Sequence, residues 1–151
     1  MVLPYLNYCN IVWAANYPTN LKRLIMLQKR VVRIISRSTR TDHTSPLFKN
    51  LKILKVPEIN ILQTSLFMFQ VSRHLVPRQF LSYFSLNSNI HNHYTRCYQQ
   101  YHLHSTKTNI RKFSIKFRGP SVYNSVPFYI KDVSNVHHCK KLLKSFLLDK
   151  Y

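Results

Sequence analysis

The sequence predicts a mainly α-helical protein, a helical bundle with one small β-hairpin in its C-terminal half. Two stretches, 20–38 and 136–150, repeat apolar residues at the helical spacing, and a third, 57–75, reads as a helix that is apolar nearly all round. A fourth, 112–118, alternates apolar and basic residues, which is typical of a half-buried strand. With 45% hydrophobic and 13% aromatic residues, the 151-residue chain can form a core, so we expect one domain-sized fold and not a disordered basic tail.

The helix at 20–38 has a cationic face opposite an apolar face. Pro18 precedes it, and Thr19 or Asn20 can cap its first turn. The apolar stripe contains Leu21, Leu24, Ile25, Val31, Val32 and Ile35, with Leu27 and Ile34 at its margin. The opposite side contains Lys22, Lys29, Arg33, Arg37 and Arg40, flanked by Arg23 and Arg30. No acid lies between residues 1 and 41 to pair with these cations, which favours phosphate contact over a solvated charged face.

The other helices are less informative about function. Pro57 and Glu58 open the helix at 57–75, which is apolar around most of its circumference and is therefore predicted to be buried. Short helices are expected at 46–51 and 77–84. The helix at 136–150 has an apolar face of Leu142, Leu143, Phe146 and Leu147 and a basic face of Lys140, Lys141 and Lys144.

The hairpin is expected after a polar loop. In its second strand, Phe113, Ile115 and Phe117 face one way and Lys112, Ser114, Lys116 and Arg118 the other. Tyr101 and Leu103 supply the first strand across a turn at 105–109, and Gly119-Pro120 ends the second. The predicted organisation is a helical region at 1–84, the loop and the start of the hairpin at 85–109, and the strand with the C-terminal helix at 110–151.

Charge indicates the kind of partner. Lys and Arg number 23 against four acids, which gives a net charge of +19 and favours a polyanion as partner. The acids are Asp42, Glu58, Asp132 and Asp149, and no two are closer than 16 residues apart. Metal-assisted phosphoryl transfer and hydrolysis usually need clustered carboxylates. The single glycine, Gly119, excludes phosphate-cradling loops and the nucleophile elbow. We expect no catalytic residue and no enzyme activity.

Nucleic acid, RNA or DNA, bound without sequence preference, is the expected partner. The candidate binding residues are Lys22, Lys29, Arg30, Arg33, Arg37 and Arg40 on the helix and Lys112, Lys116 and Arg118 on the hairpin. Tyr98, Tyr101 and Tyr123 lie near the hairpin in sequence and either stack on bases or only pack.

Two further groups of residues contain side chains that are found in metal sites or catalytic triads. His91, His93 and Cys97, with His102, His104 and His137-His138-Cys139, do not show the two tight ligand pairs of a zinc site, so no metal or cofactor is expected. Asp42, His43 and Ser45 are the residue types of a catalytic triad, but neighbours on one turn rarely converge in that geometry. Asp42 or Thr44 is better placed to bracket the turn before Pro46.

The compartment is inferred from the cysteines and the N-terminus. An odd count of three (Cys9, Cys97 and Cys139) and no secretory signal suggest reduced thiols and an intracellular protein, nuclear or cytoplasmic. No stretch approaches the roughly 18 apolar residues that span a bilayer, so no membrane association is expected.

A series of short segments occurs in a familiar order. They are Tyr8-Cys9, Trp13, Leu27-Gln28-Lys29-Arg30, Arg33-Ile34-Ile35, Asp42-His43-Thr44-Ser45-Pro46-Leu47-Phe48, Phe67-Met68-Phe69, His93-Tyr94-Thr95-Arg96, Phe113-Ser114-Ile115, Gly119-Pro120 and Tyr123-Asn124-Ser125-Val126-Pro127. Together they resemble the C-terminal region of reverse transcriptases encoded by non-LTR (LINE-type, jockey-like) retrotransposons, downstream of the polymerase palm. Relatives usually have Trp where this chain has Tyr123.

The resemblance implies a fragment of a larger polyprotein. The palm of such enzymes carries a Tyr-x-Asp-Asp motif, which this sequence lacks, and no endonuclease signature is present. Region 1–84 would then be thumb-like, and the rest would be a post-thumb region. Two rival interpretations stay open: the basic faces dock on the rest of the polymerase, or the chain is an inert relic. If Leu21, Ile25, Val32 and Ile35 normally pack on a palm, the isolated chain exposes them and is expected to self-associate.

Overall fold

The computed structural model describes residues 3–151, so the predicted region 1–84 begins outside the described residues. Its α-helices are α1 (Leu3–Asn7), α2 (Asn10–Trp13), α3 (Pro18–Ile35), α4 (Thr44–Asn50), α5 (Val56–Ser72), α6 (Arg78–Leu81), α7 (Asn109–Phe113), α8 (Ile115–Asn124), α9 (Phe128–Lys131) and α10 (Val136–Leu148). One turn of 3-10 helix spans Asn87–Asn89. The mainly α class is confirmed, whereas the hairpin is wrong, because no residue in 3–151 belongs to a strand.

The chain divides into two compact units. The first comprises Met1–Gln63 and Lys140–Tyr151, and the second comprises Thr64–Cys139. The first therefore contains α1 to α4, the first half of α5 and most of α10. The second contains the remainder of α5 and the helices α6 to α9. The three-part organisation expected from composition stays a prediction.

In the first unit, Gln28 joins α3 to the start of α5. Its Nε2 donates to the Leu54 carbonyl at 2.8 Å, and its Oε1 accepts from the Val56 N–H at 3.0 Å. This arrangement supplies an acceptor for a donor in the first turn of α5, where the N–H groups have no partner within the helix. Val32 lies on the same side of α3 and is buried. The core-facing side of α3 is thus centred on Gln28 and Val32.

The C-terminal residue closes the first unit against the segment before α5. The Lys55 N–H donates to the Tyr151 hydroxyl at 2.8 Å, and Lys55 Nζ lies 4.0 Å from the centre of the Tyr151 ring. The Phe48 ring meets the Tyr151 ring edge-on at 6.2 Å between centroids. Burial raises the pKa of Tyr151 to about 12, although the hydrogen bond from Lys55 opposes this shift. The phenol therefore stays protonated at neutral pH.

In the second unit, the predicted strand 112–118 is two short helices. Residue Ser114 separates α7 from α8, with extended backbone angles of φ −63° and ψ 146°. The alternating apolar residues Phe113, Ile115 and Phe117 therefore lie on two consecutive helices and not along one strand. Tyr101, placed in the partner strand with Leu103, instead forms an isolated antiparallel bridge with Leu86.

Gly119 and Pro120, predicted to end that strand, are buried inside α8. Pro120 is the sixth residue of this helix, so no N–H there can reach the Lys116 carbonyl. The carboxamide of Asn124, the last residue of α8, pairs with the main chain of Tyr101: Oδ1 accepts from its N–H at 3.1 Å and Nδ2 donates to its carbonyl at 2.9 Å. The polar loop is thereby joined to α8.

Candidate nucleic-acid interface

One groove brings together five of the six cations predicted on the first basic helix. It has a volume of about 790 Å³ and lies along α3 and the turn after it. The cations that line it are Lys29, Arg30, Arg33, Arg37 and Arg40. Lys22 is exposed but does not line it. The spacing of Lys29 and Arg33 places these two side chains in successive turns along one face of α3.

The turn after α3 places Arg37 and Arg40 in the groove. α3 ends at Ile35, and Arg37 follows in the left-handed conformation, with φ 51°. The Ser38 N–H donates to the Arg33 carbonyl at 3.0 Å, which closes the wide loop of a Schellman motif. Glycine usually occupies the left-handed position, and an arginine stands there in this chain. Arg37, predicted on a helix extending to residue 38, therefore belongs to the turn.

Arg33 lines the groove and also holds the turn that follows α3. Its Nε and Nη2 donate to the Asp42 carbonyl at 3.2 and 3.0 Å. The Asp42 carboxylate in turn accepts from the Thr39 N–H at 2.7 Å, and this hydrogen bonding holds the pKa of Asp42 below its usual value. Asp42 therefore brackets the turn, as predicted. Its carboxylate is engaged with Thr39.

No Asp or Glu lines the groove. Its five cations therefore have no carboxylate among the lining residues, and a cluster of like charges of this kind favours an anionic ligand. Lys and Arg contacts to phosphate carry no sequence information, so the groove can fix a nucleic acid backbone without reading bases.

The apolar stripe of α3 is only partly covered. Val32 is buried, and Leu21 and Ile25 are half-buried, so three of the four residues expected to need an absent palm have cover within this chain. Ile34 is 75% exposed and Ile35 56%. The exposed aliphatic side chains of α3 are Met26, Leu27, Val31, Ile34 and Ile35.

The three cations assigned to the hairpin do not share a face. Lys112 is exposed on α7, and Lys116 is exposed on α8 with its Nζ 5.9 Å from the centre of the Tyr83 ring. Arg118 is half-buried, and burial lowers the pKa of its guanidinium. The prediction of a basic strand face is therefore wrong, because no strand aligns these three residues in the described part of the chain.

The other candidate side chains are placed separately. Tyr98 stacks on Tyr94 with ring centroids 4.4 Å apart. Within residues 3–151, no three His, Cys, Asp or Glu side chains are grouped as ligands of a metal ion. Ser45 Oγ accepts from Lys55 Nζ at 3.2 Å, and the Asp42 carboxylate accepts from the Thr39 N–H. Neither hydrogen bond joins two residues of the Asp42, His43 and Ser45 set.

Comparison with known proteins gives no family assignment. No protein-family model, curated protein or solved structure significantly matches the chain. Among the helices of the described range, none combines the length and the apolar character required to cross a bilayer.

Proposed function

We propose that the protein binds the backbone of RNA or DNA, without sequence preference, in the groove along α3. The observation that carries this proposal is the convergence of five cations on one groove that no acid lines. The lack of acids is a property of the whole segment, because residues 1–41 contain none. A bound polyanion would relieve the repulsion among these cations.

We also propose that the chain is a non-catalytic C-terminal part of a non-LTR retrotransposon reverse transcriptase. The order of the short segments from Tyr8-Cys9 to Tyr123-Asn124-Ser125-Val126-Pro127 supports this origin, and the four dispersed acids support the lack of catalysis. The rest of such a polyprotein would be a second partner. On this proposal, purified protein incorporates no nucleotide on a primed template with Mg²⁺ or Mn²⁺. Incorporation that is lost in Asp42→Asn or Asp132→Asn would contradict it.

The binding test measures how affinity changes with salt. Fluorescence anisotropy with a labelled duplex of arbitrary sequence gives the dissociation constant at several salt concentrations. About five phosphate contacts predict a slope of roughly −4 to −5 for log K against log salt, because each contact releases nearly one counterion. Two unrelated sequences should give nearly equal slopes and affinities, since phosphate contacts do not distinguish bases.

The matched variants separate the groove from overall charge. The groove variant replaces Lys29, Arg30 and Arg40 by Gln and keeps Arg33, which holds the turn at Asp42. Its slope should flatten by about 2 to 3 units. The control replaces Lys140, Lys141 and Lys144 by Gln, which removes the same charge from exposed positions of α10 in the same unit. Equal slopes for the two variants would contradict binding in the groove.

The exposed aliphatic residues of α3 favour a second candidate function, a docking segment of a larger polymerase. Ile34 and Ile35 lie beside the cationic face, where a protein partner could cover them. On this alternative, the isolated chain sediments above its monomer mass at tens of micromolar and binds no nucleic acid at low salt. Clean monomeric sedimentation together with salt-dependent binding would refute it.

A further inference from the structure

A second cavity, of about 550 Å³, lies wholly within the second unit. Its lining combines three cations with aromatic rings and side-chain amides, and contains no Asp or Glu. The cations are Arg73, Arg96 and Lys131, and the rings are Tyr101, Tyr123 and Phe128. The sequence predicts no site that joins Tyr101 and Tyr123, which were expected beside the hairpin, to the other four residues, because these residues come from segments that are distant in sequence.

Two of the cations are fixed by main-chain carbonyls. Arg73 Nη2 donates to the carbonyls of Lys131 and Val133, at 3.4 and 3.0 Å, just after α9. Lys131 Nζ donates to the Asn124 carbonyl at 3.3 Å and lies 5.1 Å from the centre of the Tyr123 ring. Burial lowers the pKa of this ammonium. These carbonyl partners orient the two groups but carry no full negative charge. Since no Asp or Glu lines the cavity, its positive charge has no carboxylate beside it.

The aromatic wall is held by contacts within the protein. Tyr101 and Tyr123 meet edge-on with centroids 5.8 Å apart, and the paired hydrogen bonds of Asn124 hold the Tyr101 backbone. Phe128 lies on the same cavity and is 72% exposed. An exposed ring at the edge of a cationic cavity offers a surface on which a planar base can stack.

We propose that this cavity binds a nucleotide, with the phosphate among Arg73, Arg96 and Lys131 and the base on Phe128. An anion alone would satisfy the cations but leave the ring in water, whereas a nucleotide satisfies both. The same chemistry is presented by a free mononucleotide and by an unpaired nucleotide of a strand. The site shares no lining residue with the groove along α3 and adds a base contact that the groove lacks.

Phe128 provides a variant that should preserve the fold, because its side chain is exposed. Phe128→Ala should weaken the binding of 5′-AMP by roughly fivefold to a hundredfold, the range expected for losing one stacked base. Tyr129→Ala is the matched control, since Tyr129 is the next residue of α9, is 60% exposed and does not line the cavity. It should change the affinity less than twofold. Isothermal titration of the full chain measures both constants.

The charged half of the site has its own pair of variants. Arg96→Gln removes an exposed cation that lines the cavity, and Lys107→Gln removes an exposed cation of the same unit that does not. Only Arg96→Gln should weaken the binding of 5′-AMP. Inorganic phosphate and adenosine, titrated separately, should each bind at least tenfold more weakly than 5′-AMP, because each keeps only half of the contacts.

The source of the nucleotide is decided by comparing 5′-AMP with a single-stranded tetranucleotide. Tighter binding of the tetranucleotide, with the same loss in Phe128→Ala, identifies a strand, and equal binding identifies a free nucleotide. Either result supports the site. Equal affinities for phosphate and 5′-AMP, equal effects of Phe128→Ala and Tyr129→Ala, or no binding of either probe would overturn it. The groove variant should leave 5′-AMP affinity unchanged, so failure of one site is distinguishable from failure of the other.

Discussion

Replacing Gly119 by alanine tests how closely α8 approaches α5 within the second unit. A Cβ atom on residue 119 would lie 2.8 Å from Met68 Sδ and 3.3 Å from its Cγ. Met68 is fully buried, so its side chain cannot move aside into solvent. Overpacking of this kind costs about 1–3 kcal/mol. Alanine also regains up to about 1 kcal/mol of helix propensity over glycine, a gain that Pro120 reduces because a Cβ before proline disfavours helical backbone, so we expect a net loss of stability of about 1 kcal/mol or more.

A double-mutant cycle with Met68→Ala separates the two effects. Met68→Ala alone leaves a cavity and should cost about 2–5 kcal/mol. In that background the sulfur is absent, so Gly119→Ala should stabilise the protein by up to about 1 kcal/mol. The predicted coupling is therefore about 2 kcal/mol, which is within the range measured for residues in contact. The sign of the Gly119→Ala effect reverses between the two backgrounds.

The assay is denaturant unfolding of the four proteins of the cycle, with free energies compared at constant slope. Ser121 supplies the calibration, because it lies on the same helix and is exposed. The difference between Ser121→Ala and Ser121→Gly gives the propensity term for a position that no proline follows, which is the upper limit of the gain at residue 119. If Gly119→Ala stabilises the wild-type protein by the calibrated amount, or destabilises both backgrounds equally, the contact with Met68 does not limit residue 119.

Three further predictions concern single side chains, each read from unfolding free energies. The Thr64 hydroxyl is buried with no hydrogen-bond partner in the structure, so Thr64→Val should stabilise by about 1 kcal/mol, and a loss would reveal a missed partner. Lys52 has φ 52° just after α4, so Lys52→Gly should gain about 0.5–1 kcal/mol, whereas Lys49→Gly, inside the helix, should lose a similar amount. Folding raises the pKa of Tyr151 from 10.0 to about 12, so the stability that this residue contributes is complete below pH 10 and is lost as the pH rises through 12. Tyr151→Phe should be less stable than the wild type at neutral pH. Between pH 10 and 12 the stability of the variant should fall less than that of the wild type.

The long helices were predictable from apolar spacing. Expected spans of 20–38, 57–75 and 136–150 correspond to Pro18–Ile35, Val56–Ser72 and Val136–Leu148. The short helices at 46–51 and 77–84 were also found, as α4 and α6. The ends were harder to place. α3 begins at Pro18 after Tyr17, so neither Thr19 nor Asn20 is its cap.

The sequence pattern failed where helices are short. Phe113, Ile115 and Phe117 alternate with polar residues across the break between α7 and α8 at Ser114, and seven residues are too few to distinguish such a break from a strand. The prediction that Gly119-Pro120 ends this strand is wrong together with the strand, because both residues lie inside α8. In the structure Gly119 permits close approach to Met68, which is a tertiary requirement that no local pattern records.

Part of the candidate groove could also be predicted. Lys29, Arg30 and Arg33 follow from one helical face, since periodicity alone places them together. The contribution of Arg37 and Arg40 depends on a left-handed turn that glycine would normally mark. The cavity of the second unit could not be predicted, because Arg73, Arg96 and Lys131 meet only after the loop and the short helices have packed.

The two sites use cations that the fold holds without neutralising. With four acids against 23 Lys and Arg residues, most cations cannot have a carboxylate partner. Arg33, Arg73 and Lys131 are instead fixed by main-chain carbonyls, which orient a charge and leave it in place. The folded chain thus presents oriented cations and retains its net charge of +19. On the proposed function, a polyanion that binds these groups only when they are so arranged also stabilises the folded state, which would link binding to folding.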